Sequence, residues 1–118
     1  MSQAALCREL HASLYALAYQ LLKWRYGAAP RSRAWQKEIM AEGVRIRVLL
    51  EEAPALRPAL DRYYKEAYSW ARERTLKASD LRGFPPSDSA FTRYEVFAVI
   101  DGRLEMVHHF DPNVDAGR

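Results

Sequence analysis

Five leucines near the start of the chain repeat at the spacing of an α-helix, and this repeat constrains the fold more than any other feature. They are separated by four, four, three and four residues, which places them on one helix face. Gly27 and Pro30 follow the repeat, as these residues commonly follow a helix C-terminus. We therefore predict a first helix from about Gln3 to Trp24. The stripe consists of Leu6, Leu10, Leu14, Leu17 and Leu21.

Two further helices are predicted downstream. The second begins after Ser32, whose hydroxyl can accept a hydrogen bond from a first-turn amide, and ends before Pro54. Residues 53–58 are predicted to form a tight turn, with Pro58 in the first turn of a third helix that fades near 77–80. Short connections favour antiparallel packing of neighbouring helices. The apolar faces consist of Trp35, Ile39, Ile46 and Leu50 in the second helix and Leu60, Tyr64, Ala67, Tyr68 and Ala71 in the third.

Gly43 lies within the apolar face of the second predicted helix. In an exposed helix interior, a glycine costs about 1 kcal/mol relative to alanine. The alternative is that the missing side chain lets another helix approach closely. The sequence leaves both interpretations open.

The pattern changes after the third predicted helix. Residues 79–90 contain paired prolines and small polar residues and are predicted to form a loop. Residues 91–110 contain the β-branched and aromatic run Tyr94–Ile100 followed by Asp101-Gly102, which predicts a small β-hairpin. Residues 111–118 are predicted to form a frayed tail. The predicted fold of residues 1–118 is a single, mainly α domain: an antiparallel three-helix bundle (residues 3–78) with a small C-terminal β-hairpin.

Cysteine content and apolar runs bear on where such a chain resides. Cys7 is the single cysteine, so no intrachain disulfide can form, which is compatible with a reducing compartment. The first ten residues include Arg8 and Glu9 and contain no apolar signal core. No apolar run approaches the roughly 20 residues that span a bilayer. We expect a cytoplasmic protein that does not insert into a membrane.

Positive charge is concentrated in one segment. Residues 23–47 contain seven basic and two acidic residues, although the net charge of the whole chain is only +3. Cations interleaved with aromatic rings can bind phosphates and stack on bases, which would favour nucleic-acid binding. The structural interpretation, which we favour, is that the tryptophans pack at the helix junction and Ser32 caps the second helix. The predicted interaction patch consists of Lys23, Trp24, Arg25, Arg31, Ser32, Arg33, Trp35 and Lys37.

No group of residues predicts catalysis. His109 and Asp111 would share one face of a strand while His108 points away, so only two metal ligands come together. Adjacent Glu51 and Glu52 do not face each other on a helix and cannot form an acid–base pair. We therefore expect no enzyme activity, no catalytic residues, no metal, no cofactor and no small-molecule substrate.

Several spaced motifs in the middle of the chain point to a family. They are Leu21-Leu22-Lys23-Trp24, Arg31-Ser32-Arg33-Ala34-Trp35, Leu49-Leu50, Pro54-Ala55-Leu56-Arg57-Pro58 and the region 68–72. Together they resemble the domain-of-unknown-function 29 family, small helical proteins of bacteria, over roughly residues 14–78. The resemblance implies an α-helical fold and no established activity. It also implies a short helical end where the residue pattern predicts a hairpin.

The predicted function is that of a non-catalytic helical interaction or oligomerisation module. It would bind a protein partner or form a homo-oligomer. A homodimer would form through an uncovered part of the leucine stripe on the first helix. The alternative is a nucleic-acid-associated accessory protein that uses the basic-aromatic patch around residues 23–37.

Overall fold

The computed structural model describes residues 2–77, 81–83, 85 and 96–102. The first helix, α1, spans Gln3–Tyr26, close to its predicted bounds. The Ser2 hydroxyl accepts a hydrogen bond from the Ala5 amide at 3.2 Å, which caps the first turn. Four of the five stripe leucines are fully buried, and Leu6 packs against them at the edge of the core. The stripe is therefore covered within the chain itself, which removes it as a homodimer surface.

The second helix, α2, spans Arg33–Glu52, and the third, α3, spans Leu60–Leu76. The prediction that Ser32 caps the second helix is confirmed: its hydroxyl accepts a hydrogen bond from the Trp35 amide at 3.1 Å. Because this bond satisfies an amide that has no partner within the helix, it fixes where α2 begins. The junction between α1 and α2 is thereby defined within a few residues.

The connection between α2 and α3 differs in detail from the prediction. Pro54–Ala59 form a 3₁₀ helix rather than a simple tight turn, and Pro58 lies inside it instead of in the first turn of α3. The tighter 3₁₀ geometry commonly connects helices in short pieces. Leu56 points from this piece into the core and is buried.

Helix α1 is the centre of the packing and contacts both other long helices. Gln20, near the end of α1, accepts a hydrogen bond from the indole of Trp35 at the start of α2. Glu9, near the start of α1, lines a groove together with Leu49 and Glu52, near the end of α2. These two helices therefore run in opposite directions.

The contacts between α1 and α3 advance along both helices together: His11 contacts Glu66, and the later Tyr15 contacts the later Arg74. Helices α1 and α3 therefore run in the same direction. The described chain is a compact, mainly α packing of three long helices and a short one.

Residues 96–100 are also helical and lie against both α2 and α3. A Cβ atom added to Gly43 of α2 would stand 2.6 Å from the carbonyl oxygen of Val99. On the other side, the ring of Phe97 lies 5.9 Å from the ring of Tyr64 in α3. The structure thus decides between the two interpretations of Gly43, because only a residue without a side chain allows this close approach.

The predicted strand Tyr94–Ile100 is wrong over its described part, because residues 96–100 are helical. Four of these five residues are buried rather than alternate ones, with only Phe97 half-buried. A short, continuously apolar run does not distinguish a buried helix from a buried strand by its periodicity. Packing against two helices overrides the strand preference of the β-branched residues here.

Gly102 explains why the turn signal was misleading. Its φ of +82° lies in the left-handed region, and its amide donates to the carbonyl of Val99 at 3.0 Å. A glycine in this conformation commonly ends a helix. Asp101-Gly102 therefore closes a helical segment instead of joining two strands. The remainder of the predicted hairpin (91–95 and 103–110) and the predicted tail (111–118) lie outside the described residues.

The chain after α3 returns to the end of α1. Leu81 forms an isolated antiparallel bridge with Gly27, and the Arg82 amide donates to the Tyr26 carbonyl at 2.7 Å. These described residues of the predicted loop 79–90 are not helical, as expected. None of the helices in the described ranges is long and apolar enough to cross a membrane.

Candidate functional site

Two tryptophans of the predicted patch pack together where α1 ends and α2 begins. Trp24 is only 3% exposed, and its ring meets that of Trp35 edge to face at 5.1 Å between centroids. The indole of Trp35 donates to the Gln20 side chain at 2.6 Å. We call Trp24, Arg31, Ser32 and Trp35 the junction cluster. Its rings are held by core packing and by a hydrogen bond within the chain.

Arg31 closes the junction cluster from outside. Its Nε donates to the Trp24 carbonyl at 2.7 Å, and its guanidinium lies 5.5 Å from the centre of the Trp24 ring. The bond satisfies a carbonyl at the C-terminal end of α1, where carbonyls lack helical partners. Burial, and then the charges of Arg82 and Arg25, lower the pKa of Arg31. The structural interpretation therefore fits Trp24, Arg31 and Ser32.

The other four cationic residues of the predicted patch lie around this cluster. Arg25, Arg33 and Lys37 are exposed. Lys23 is half-buried, with its ammonium 4.7 Å from the centre of the Tyr19 ring and 5.9 Å from that of Trp35. Beside it lies an open groove of about 410 Å³, lined by Tyr19, Lys23, Gly27, Ala28, Ala29, Trp35 and Leu81.

A second group of aromatic and charged side chains lies along the seam between α1 and α3. On each helix the members of this group are four residues apart, so their side chains lie one above another on the same side of the molecule. We call this group the aromatic face. It consists of His11, Tyr15 and Tyr19 from α1 and Glu66, Trp70 and Arg74 from α3.

Arg74 organises one end of the aromatic face, beside Tyr19 and Tyr15. Its guanidinium lies 4.1 Å from the centre of the Tyr19 ring and 5.9 Å from that of Tyr15, and it donates to the Tyr15 hydroxyl at 3.3 Å. The two tyrosine rings are nearly parallel, with centroids 6.4 Å apart. The hydrogen bond to Tyr15 raises the pKa of Arg74, which is exposed to solvent. An exposed arginine held over two rings has an oriented positive charge.

Trp70 lies one turn before Arg74 on α3, toward the end of the aromatic face that His11 and Glu66 form. Trp70 is 56% exposed, the largest exposed fraction among the exposed large hydrophobic residues of the described chain. His11 lies against it with ring centroids 4.8 Å apart, and the histidine Nε2 is 3.2 Å from the Glu66 carboxylate. An open, mostly apolar groove of about 390 Å³ runs beside Trp70, lined by Arg8, His11, Ala12, Tyr15 and Trp70.

The sequence interpretation missed this second group. The predicted interaction patch does not include Tyr15, Trp70 or Arg74. A signal was present, because His11, Tyr15, Tyr19 and Lys23 recur at steps of four. Its meaning depends on α3 lying alongside α1, which the local pattern does not specify.

Metal ligation finds no support in the described ranges, where no three His, Cys, Asp or Glu side chains come together. The metal ligands considered in the sequence, His108, His109 and Asp111, lie outside the described residues.

Cys7 is half-buried, and the Tyr63 hydroxyl lies 3.6 Å from its sulfur.

Over the described residues, the fold and its surface clusters define a small, mainly helical domain. The chain belongs to the family described as Domain of unknown function DUF29, whose model matches residues 4–98. This match extends beyond the resemblance at residues 14–78 in both directions and reaches the helical segment 96–100. The short helical end implied by the resemblance therefore agrees with the described structure, whereas the hairpin does not. No curated protein and no solved structure matches this chain.

Proposed function

We propose that this protein is a non-catalytic binding module whose aromatic face binds an acidic, partly apolar segment of another protein. The observation that carries the proposal is Trp70, a tryptophan that is 56% exposed in an open apolar groove. A buried tryptophan ring contributes strongly to protein–protein binding, and Trp, Tyr and Arg are enriched among the residues that dominate such interfaces. Covering Trp70 would remove a large apolar surface from water.

The charges around the groove favour an acidic partner. Arg8 lines one side of it, and Arg74 lies along the same seam with its charge oriented over two tyrosine rings. Glu66 is the acidic member of the face, and it is engaged by His11 at 3.2 Å. Carboxylates on a partner would find two exposed guanidinium groups, which bind such anions in a bidentate geometry.

The experiment is selection of peptides from a random library displayed on phage, with the intact protein as the target. We expect enriched peptides to carry acidic residues next to apolar or aromatic ones. A synthetic peptide from this pool should bind Trp70→Ala at least about tenfold more weakly than the wild type, because a central tryptophan dominates such contacts. Arg74→Gln should bind the same peptide more weakly than the wild type does. Its affinity should also depend less on salt concentration, because one charged contact has been removed.

Val48→Ala is the matched control, because it shortens an exposed apolar side chain on α2, away from the aromatic face. It should leave peptide affinity unchanged. If no peptide is enriched, or if enriched peptides bind Trp70→Ala as tightly as the wild type, the proposal for this face is wrong.

Nucleic-acid binding is the second candidate, and one observation favours it. Arg25 and Arg82 are close enough to lower the pKa of Arg31, so several cations converge beside the groove at Lys23 and Trp35. A phosphate there would relieve their mutual repulsion. Against it, the Tyr19 ring is already covered by two cations, and Trp24 is buried, so few ring faces are open for stacking.

Fluorescence anisotropy with labelled single-stranded and duplex DNA and RNA tests this candidate. Binding that weakens steeply between about 50 and about 200 mM salt, and that Arg25→Glu abolishes, would support it. Absence of binding at low salt would end it. Because Trp70→Ala leaves the cationic groove intact, this variant separates the two candidates.

A further inference from the structure

The outer surface of α2 carries a stripe that the aromatic face does not use. Residues on this stripe are separated by four, three, four and three positions, which is the seven-residue repeat of helices that pair with one another. All five are exposed, and Val44 and Val48 are each 43% exposed. We call Lys37, Ala41, Val44, Val48 and Glu51 the α2 stripe.

The α2 stripe is apolar in its middle and oppositely charged at its ends. Lys37 lies in the first half of the helix, and Arg33 precedes it by one turn. Glu51 and Glu52 lie at the other end, where Glu52 and Glu9 of α1 line a groove that also includes Val44 and Val48. Arg45, in the middle, forms an ion pair with Glu42 of the same helix. The α2 stripe itself is therefore basic at one end and acidic at the other.

We propose that two copies of this protein associate through the α2 stripe in antiparallel orientation. This inference goes beyond the proposed function, because it concerns another surface and another partner. In a parallel pair, Lys37 would lie beside the partner's Lys37 and Glu51 beside the partner's Glu51, which is repulsive. Reversing one helix brings opposite charges together at both ends, so the charge pattern selects the antiparallel arrangement.

The spacing of the stripe suits a two-fold axis between Ala41 and Val44. Ala41 of one copy then meets the partner's Val44, and Lys37 lies beside the partner's Val48. Glu51 of the partner is three residues further on, or ~4.5 Å along the helix, within reach of the long lysine side chain. The small side chain of Ala41 lets the two helices approach closely. The symmetry repeats each contact, as a closed dimer requires.

Charge reversal at the two ends tests this arrangement without disturbing the fold. Glutamate at position 37 near the start of α2, and lysine at position 51 near its end, each match the polarity of the helix dipole. We therefore expect Lys37→Glu and Glu51→Lys to fold at least as well as the wild type, which circular dichroism and thermal unfolding would verify. Each variant alone should dimerise about tenfold or more weakly, because it creates two like-charged contacts per dimer.

The decisive measurement is sedimentation velocity of the intact protein over a wide concentration series, alone and in mixtures. The wild type should form dimers, and Lys37→Glu and Glu51→Lys should each shift toward monomers. Mixing these two variants should restore dimers, because every charged contact in the mixed pair is attractive. Lys77→Glu, a reversal at an exposed residue beyond the end of α3, should leave dimerisation unchanged.

Three results would overturn the proposal. The first is a wild type that remains monomeric at every concentration. The second is a dimer that neither charge reversal weakens, which would place the contact on another surface. The third is a pair of weakened variants that do not associate with each other when mixed, which would exclude the antiparallel arrangement.

Discussion

The junction cluster and the aromatic face contain the same kinds of side chains but differ in how those side chains are used. At the junction cluster, Trp24 is buried and Arg31 donates to its carbonyl, so ring and cation are engaged inside the chain. On the aromatic face, Trp70 is exposed and Arg74 lies over tyrosine rings at the surface. A cation near an aromatic ring therefore does not identify a binding site by itself. The difference lies in burial, because Trp24 is enclosed by the chain whereas Trp70 and Arg74 are exposed to solvent.

The largest expected effect of a substitution is at the centre of the junction cluster. Trp24→Ala should lower the free energy of unfolding by about 3–5 kcal/mol, because it leaves a large cavity where two helices meet. Urea unfolding of the variant and the wild type measures this difference. A loss below about 1 kcal/mol would mean that Trp24 is not part of the packed core.

Arg31→Ala should have the next largest effect, lowering the free energy of unfolding by about 1.5–3 kcal/mol. The substitution removes a charged hydrogen bond to the Trp24 carbonyl and leaves that carbonyl without its donor. Chemical denaturation again provides the value. Arg25→Ala removes the same charge from an exposed position in the last turn of α1 and serves as the comparison; it should cost far less, because Arg25 is exposed to solvent. Equal losses would show that Arg31 acts through its charge alone.

Ser32→Ala should lower the free energy of unfolding by about 1 kcal/mol, because α2 loses the side chain that caps its first turn. Ser69→Ala is the matched control: this serine is exposed on α3, where alanine favours the helix. Thermal unfolding of the pair should show a lower midpoint only for the first variant. The same shift in both variants would contradict the cap.

Trp70→Ala should have the smallest effect on stability, within about 0.5 kcal/mol, because its ring is largely in water. Its effect should appear in peptide binding instead. A loss of stability as large as that of Trp24→Ala would remove the contrast between the two clusters, since Trp70 would then be a core residue.

Local sequence patterns predicted the three long helices because each pattern acts within one helix. The leucine stripe, the Ser32 cap and the Pro54 boundary depend on neighbours a few residues away, and all three agree with the structure. Residues 96–100 could not be assigned this way, because their helical state depends on packing against Gly43 and Tyr64. Continuous burial removed the periodicity that distinguishes a helix from a strand.

The candidate site was predicted only in part for a related reason. The region 23–37 stands out because its cations and rings are close in sequence, yet four of its members form the junction cluster and contact other groups within the chain. The aromatic face combines residues from α1 and α3 that are more than fifty positions apart, such as Tyr15 and Arg74. Only the alignment of the two helices brings such residues together, so no local pattern identifies the face.

The indole N–H signals of the three tryptophans test the contrast most directly, in one nuclear magnetic resonance titration of the intact protein with a selected acidic peptide. Trp70 should show the largest shift, while the signal of buried Trp24 and that of Trp35, bonded to Gln20, should change little. If Trp24 and Trp35 shift and Trp70 does not, the binding surface is the region 23–37, and the assignment of the two clusters is reversed.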